Sequence, residues 1–417
     1  MQPARSSSKV PAAIGQSASS KKSSSSLAVH AAFVITGVVT TMLGPILPTL
    51  QSNWRLSDER AGYLFTAQFA ASVLGAACSG RLAWRGFRIP LIAGYALMAI
   101  GVGLLALVSW PGSLIAVACY GAALGLVIPI SNLLVSEINP SHRAAALSRL
   151  NFAWGVGAVA CPVLVSFAQR VGTLSGFLLA IAATTAIAAT VMSFLDIPWL
   201  SPERSASGKT EALWQQPLTF ILALLFFFYV GTEAAVGGWV ADFTKRIAIG
   251  ESGWIFAPSF FWAGLMLGRG IAPMFLRRIH DIRLGAAGLI LALSGVLMLI
   301  LSRGIGGACF ASALAGVGLA PVFPITIAQL ARFGPSGQKI SGTMFAFAGL
   351  GGTCLPWLVG FVSTQASSLK AGLAVPLTAT LFMLAFYSSF RAIDLPADES
   401  AMMKPDSAGL TRDLGAV

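Results

Sequence analysis

Residues 218–240 read LTFILALLFFFYVGTEAAVGGWV. A helix needs about 20 apolar residues to cross a hydrocarbon layer about 30 Å thick, and this run supplies them. One acid, Glu233, lies well inside it. Even on permissive scales a charged acid at mid-bilayer costs about 2.5–3.5 kcal/mol, so such a group is expected to face a partner or a wet cavity rather than lipid. Helical spacing places Tyr229 one turn before Glu233 and Gly237 one turn after it, on the same face.

Eleven further segments have the same character: 27–50, 60–82, 89–109, 112–137, 145–169, 174–197, 254–276, 284–302, 305–331, 340–364 and 371–391, with the quoted run extending over 216–241. Apolar residues make up 56% of the chain and charged residues 10%. Soluble domains carry roughly 25% charged residues, so an ordinary soluble fold is excluded. An all-α integral membrane protein of twelve transmembrane helices is expected. Residues 1–26 are rich in Ser, Ala and Lys and read as a disordered basic tail. The first apolar run is longer than a signal-peptide core and reads as a retained span. The polar stretch 199–215 separates two six-helix bundles, 27–198 and 216–391, and 392–417 forms a C-terminal tail.

Lys and Arg give the orientation, because they concentrate in cytoplasmic loops. Starting the tail in the cytoplasm and alternating sides places twenty of the 27 basic residues on that side and seven opposite. Both termini are therefore expected in the cytoplasm of a cell (inner) membrane protein. The bias also accounts for the net charge of +12 without nucleic acid. Arg81, Arg85 and Arg88 in one half, and Arg269, Arg277 and Arg278 in the other, form a candidate cytoplasmic gate. Some of them are expected to contact acids or helix C-terminal carbonyls across or within the bundles, the carbonyl contacts worth roughly 0.3–1 kcal/mol each.

The halves repeat. Ala61-Gly62-Tyr63-Leu64-Phe65 parallels Ser252-Gly253-Trp254-Ile255-Phe256, and Gly80-Arg81 parallels Gly268-Arg269. Phe152-Ala153-Trp154 followed by Cys161-Pro162 parallels Phe345-Ala346-Phe347 followed by Cys354-Leu355-Pro356. Several matches in one order, six spans apart, indicate a parallel repeat of two six-span halves.

In this architecture the chain resembles the major facilitator superfamily from about residue 27 to 391. The loop Gly80-Arg81-Leu82-Ala83-Trp84-Arg85-Gly86-Phe87-Arg88 keeps the glycine and basic residues of the superfamily's signature loop but lacks its Asp. Within the superfamily the chain is similar to the fucose–galactose–glucose:proton symporters and to the sodium-dependent glucose and glucose/mannose:proton transporters. Three stretches carry this: Tyr229–Glu233 with Gly237-Gly238-Trp239, Ala320-Pro321-Val322-Phe323-Pro324, and Leu150–Ala158 (LNFAWGVGA). Unlike fucose-type symporters, the chain has no acid in its first span, and Ile128 and Pro129 occupy the region before Asn132. The resemblance implies two bundles rocking about a central site.

Glu233 is the candidate coupling group. Asn132, Asn151, Gln68 and Gln329 are amides inside apolar spans whose donors and acceptors suit either sugar hydroxyls or neighbouring helices. Trp154, Tyr229, Trp239 and Trp262 are candidate stacking surfaces, with Trp239, near a span end, reading as an interfacial anchor. Gly121–Gly125 and Gly264–Gly268 read as close-packing surfaces between helices. Gly101–Ala106 satisfies G-x-G-x-x-A but lies inside a span, not after a strand, so it is not a dinucleotide loop. The five cysteines and three histidines have no ligand spacing, so no metal or cofactor is expected.

The expected function is secondary transport of a small polar solute, a sugar, coupled to protons or sodium. The partners are that substrate, the ion and the lipid bilayer, and the protein is expected to act as a monomer. Efflux of amphipathic compounds is the alternative within transport. A transport-inactive receptor or an integral-membrane enzyme is the alternative from another class. No Walker motif is present, so ATP does not drive the chain directly.

Overall fold

The computed structural model describes residues 12–83, 86–195, 217–250, 253–331 and 334–389, and among them every regular element is helical. The first half contains α1 (Ala12–Thr41), α2 (Leu43–Trp54), α3 (Asp58–Ala83), α4 (Arg88–Leu107), α5 (Ser113–Ile138), α6 (Arg143–Val171) and α7 (Leu174–Phe194). The second contains α8 (Pro217–Ile247), α9 (Ala257–Leu276), α10 (Asp281–Leu301), α11 (Ile305–Leu319), α12 (Val322–Ala331), α13 (Gly334–Gln365), α14 (Leu369–Gly372) and α15 (Ala374–Ser389).

Eleven spans are long and apolar enough to cross a membrane, and the bent pair α1–α2 makes the twelfth. Its 41° bend falls where Pro45 and Pro48 remove backbone donors from the helical ladder. α1 starts at Ala12, so helix runs into the segment read as a tail. Extending an existing helix costs far less than nucleating one, and the apolar span supplies the nucleus.

Each half is held by close backbone approach and by satisfied hydroxyls. Gly121 and Gly125 let α5 lie against the backbone of α3 at Gln68 and Ser72, where any Cβ would collide. Thr36, Thr185, Ser312 and Thr380 each donate to the carbonyl four residues earlier, so these buried hydroxyls need no water.

The halves meet through α2 on α8, α3 on α13 and α6 on α9. α3 and α9 are the second spans of their halves, and α6 and α13 the fifth. The pairings are thus exchanged by the repeat seen in the sequence. Contact begins at the N-terminus of α3, where Asp58 meets Arg246 and Ser363, and the Glu59 amide donates to Thr364. It continues inward through Phe65 against Trp239, and through Thr66, which donates to the Thr353 carbonyl at 3.1 Å. It reaches Val73 against Gly349. Further along the same helices, a Cβ added at Gly80 or Gly342 would meet nothing within 4 Å. Among the described residues, then, the seam is sealed at one side and parted at the other.

Trp239 departs from the expectation of an interfacial anchor. It is fully buried, and its indole N–H donates to the Pro356 carbonyl at 2.8 Å. α8 continues two turns past it, to Ile247, which draws it inside the seam.

Candidate functional site

Where the seal ends, α6 and α9 bring two indoles together. Trp154 and Trp262 meet edge to face with ring centroids 5.7 Å apart. On the sealed side of this pair the Ser259 hydroxyl donates to the Val159 carbonyl. On the other side Gly155 packs against Met266. Trp262 also packs against Gly237, the small residue one turn after Glu233. The Trp154 indole N–H donates to the Thr40 hydroxyl at 3.3 Å. The pair therefore ties α1, α6, α8 and α9 together at one level.

One to two turns towards the parted side lies a polar cluster. Arg269 Nη2 donates to the Tyr229 hydroxyl at 2.9 Å and to Glu233 Oε2 at 3.1 Å. The Tyr229 side chain is buried, whereas the Glu233 and Arg269 side chains keep 17% and 32% exposure. Arg269 Nε is buried with no partner among the described residues. Tyr229 lies against Phe323, which also contacts Phe345, so an aromatic wall backs the cluster. The helix spacing behind the expected Tyr229–Glu233 pairing thus joins the two at one cation, as same-face positions one turn apart should.

Arg269 belongs to the candidate cytoplasmic gate, and its partner is an acid within its own half. α9 runs on to Leu276, as the span 254–276 expects, and carries Arg269 two turns inside its end. There Glu233 neutralises it, which removes the cost of two unpaired charges at that depth. A lone Arg inside an apolar span, matched by a lone acid in the preceding span, was the available signal.

The other candidates separate. Gln68 is buried in the first half, donating to the Thr40 carbonyl and accepting from the Tyr120 hydroxyl, both at 3.1 Å. It is one residue removed from Trp154 through Thr40, and both ends of its amide are occupied. Asn151 lies one turn before Gly155 on α6, is exposed, and donates to its own helix at Leu147. Met266 faces Gly155, and α6 and α9 run antiparallel here, so Asn151 and Arg269 stand at similar depth. Asn132 donates to Ile128 within α5. Gln329 is buried inside the second half, donating to Asp281 at 2.6 Å, and so stands apart from the tryptophan pair. Arg81 is exposed at the end of α3. Arg88 donates to the Ser193 carbonyl in the last turn of α7, a helix C-terminus complemented within one half. Arg85 lies outside the described residues.

The sequence reading missed Thr40, which presents its hydroxyl to Trp154, and the network of Asp58, Asp242 and Arg246. Arg246 bridges Asp58 of the first half and Asp242 one turn away on its own helix. Asp58 precedes an apolar run like any helix-capping acid, so nothing local marks it as a cross-half contact.

The model of the major facilitator superfamily matches residues 29–360. Sodium-dependent glucose transporter 1 of Danio rerio is 23% identical over 381 residues, which cover 81% of this chain and 64% of that relative's length. A putative glucose/galactose transporter of Helicobacter pylori (strain ATCC 700392 / 26695) is 24% identical over 406 residues, covering 88% of this chain and 97% of the relative. Among solved structures, a bacterial homolog to the human lysosomal transporter Spinster superposes with a TM-score of 0.73 at 16% identity, covering 90% of this chain and 99% of that one. The xylose transporter XylE from E. coli gives 0.67 at 16%, covering 87% and 95%. The fold is shared with both. With two six-span halves, a seam closed at one side and a family match over most of its length, this chain belongs to the major facilitator superfamily and is a membrane transporter rather than an enzyme.

Proposed function

We propose that the protein is a secondary transporter of a hexose-type sugar, moved by alternating access and coupled to protons or sodium. The observation that carries the reading is one juxtaposition at the inner limit of the seal. An indole pair from opposite halves, Trp154 and Trp262, stands one to two turns from the polar cluster of Tyr229, Glu233 and Arg269. An indole face suits the C–H face of a pyranose, and the polar groups suit its hydroxyls. The names of the Danio rerio and Helicobacter pylori relatives support the same substrate class.

In this reading Glu233 is the coupling group. A proton or sodium ion that reaches its carboxylate competes with Arg269 for it, and so links ion arrival to a change in the cluster. The protein acts as a monomer in the cell membrane with both termini cytoplasmic, so the sealed side faces outward and the described state is open inward. A cysteine placed at Ser207 is then labelled only from the cytoplasm, and labelling from outside overturns the orientation.

The test of function is uptake of labelled hexose by proteoliposomes under a proton or a sodium gradient. Gradient-driven accumulation is expected in the wild type. Glu233→Gln should lose accumulation but keep exchange, because exchange does not require the unloaded carrier to reset. Accumulation at the wild-type rate by a folded Glu233→Gln variant overturns the coupling role. Absence of hexose uptake, with an amphipathic compound transported instead, overturns the sugar reading.

A further inference from the structure

The Arg269–Glu233 pair leaves part of its hydrogen-bonding capacity unspent. One guanidinium nitrogen, Nη2, serves both Tyr229 and Glu233. Nε is buried, still carries its proton, and finds no acceptor among the described residues. A buried donor left without a partner costs about 1–3 kcal/mol, more for a charged group. Around it the site is half open: Glu233, Arg269, Trp154 and Met266 are all partly exposed, next to the parted side of the seam. With its side chain 32% exposed, Arg269 can still be reached by a group from the open part of the site, at the edge of the guanidinium that Tyr229 and Glu233 leave free.

The charge of the cluster constrains that group. Arg269 is permanently cationic and Glu233 stands against it at 3.1 Å, with the neutral phenol of Tyr229 as the third member. Among the described residues no other acid or base is paired with either, so the cluster presents donors and acceptors but no net charge. A ligand carboxylate beside Arg269 would also stand beside Glu233, and a ligand ammonium beside Glu233 would also meet Arg269. In either case the attraction to one partner is offset by repulsion from the other, so a charged ligand loses its hydration without a net charge to replace it.

We propose that Arg269 is a direct substrate-binding residue, that its ion pair with Glu233 makes the site select neutral sugars over acidic and amino sugars, and that removing either partner inverts the preference. This deepens the proposed function and rests on the sugar reading. Arg269 donates to a substrate oxygen through the side of the guanidinium that Tyr229 and Glu233 leave free. Glu233 holds the guanidinium in place and cancels its charge.

The test measures displacement of labelled glucose from the purified full-length protein by glucose, glucuronate and glucosamine at one fixed pH. In the wild type both charged analogues should compete at least about tenfold more weakly than glucose, equivalent to about 1.4 kcal/mol. Glu233→Gln leaves the cation uncompensated, so glucuronate should gain on glucose by about tenfold or more while glucosamine does not. Arg269→Gln should favour glucosamine in the same way. Loss of affinity by equal factors for all three sugars in both variants overturns the inference and leaves the sugar reading intact. Failure of the wild type to bind any of the three overturns the sugar reading, and this inference with it.

Breaking a buried pair can unfold a protein by stranding one charge, so a second measurement uses the unmodified chain. Phenylglyoxal labelling of Arg269, followed by mass spectrometry of its peptide, should fall when glucose is bound. Equal labelling with and without glucose, in protein that binds glucose, overturns direct contact.

Discussion

Arg246 and Asp58 join the two halves of the molecule: Nη1 of Arg246 donates to Asp58 Oδ2 at 2.9 Å, across the mouth of the seam. Asp58 also accepts from Gln51 and from the Ser363 hydroxyl, so one carboxylate gathers groups from α2, α8 and α13. Its side chain is 11% exposed, against 40% for Arg246. Solvent therefore weakens the ion pair itself, and the hydrogen bonds carry much of the closure. Asp58→Asn should favour opening of this side by about 1–3 kcal/mol, the scale of hydrogen bonds to a charged group. A cysteine at Thr66, just inside the seal, should then label faster from that side. Unchanged labelling would mean that the apolar packing beneath Asp58 holds the seal alone.

Gly44 on α2 reaches the backbone of α8, where a Cβ would stand 2.6 Å from the Gly237 carbonyl oxygen. Backbone cannot step aside as a side chain can, so Gly44→Ala should destabilise the sealed state by about 1–3 kcal/mol. Gly238→Ala faces the Phe65 ring at 2.7 Å instead, and a ring can turn. The first variant should raise the labelling rate at Thr66→Cys more than the second. The reverse order would refute the view that α2 and α8 are in direct backbone contact in this state.

Gln68 has both ends of its amide engaged by the first half. Gln68→Leu strands the Tyr120 hydroxyl and the Thr40 carbonyl in an apolar interior, at a cost of about 1–3 kcal/mol for a buried polar group. Thermal unfolding in detergent should move to lower temperature, and Tyr120→Phe added to Gln68→Leu should recover part of the loss. A variant of unchanged stability with weakened sugar binding would instead return Gln68 to the substrate.

Trp154 contributes an indole face and one N–H donor. Trp154→Phe keeps an edge-to-face ring contact with Trp262, worth about 0.5–1.5 kcal/mol, and loses the donation to Thr40. Trp154→Ala loses both. Under the sugar reading the Phe variant should bind hexose within about tenfold of wild type, and the Ala variant should lose more than that. Titration of binding to purified protein decides it, and equal affinities would exclude Trp154 from the site.

Periodic features of the chain were legible without coordinates. The spans follow from apolar runs that only a bilayer tolerates, and the two halves from matched motifs such as Phe152–Trp154 and Phe345–Phe347. The Tyr229–Glu233 relationship follows from helical spacing alone. These are properties of neighbours in sequence, where backbone geometry dictates which side chains share a face.

Relationships between helices were not legible in the same way. Sequence spacing says nothing about which turn of α9 stands opposite which turn of α8, so only packing sets Arg269 of one span against Glu233 of the other. Asp58 likewise has the local surroundings of a helix-capping acid, and only the fold brings Arg246 and Ser363 to it from far along the chain. The sequence by itself determined that an acid and a base had to be buried in apolar spans. Tertiary structure decided that they neutralise each other, because the free energy of an ion pair depends on a distance of a few ångströms between segments whose separation in sequence leaves that distance open.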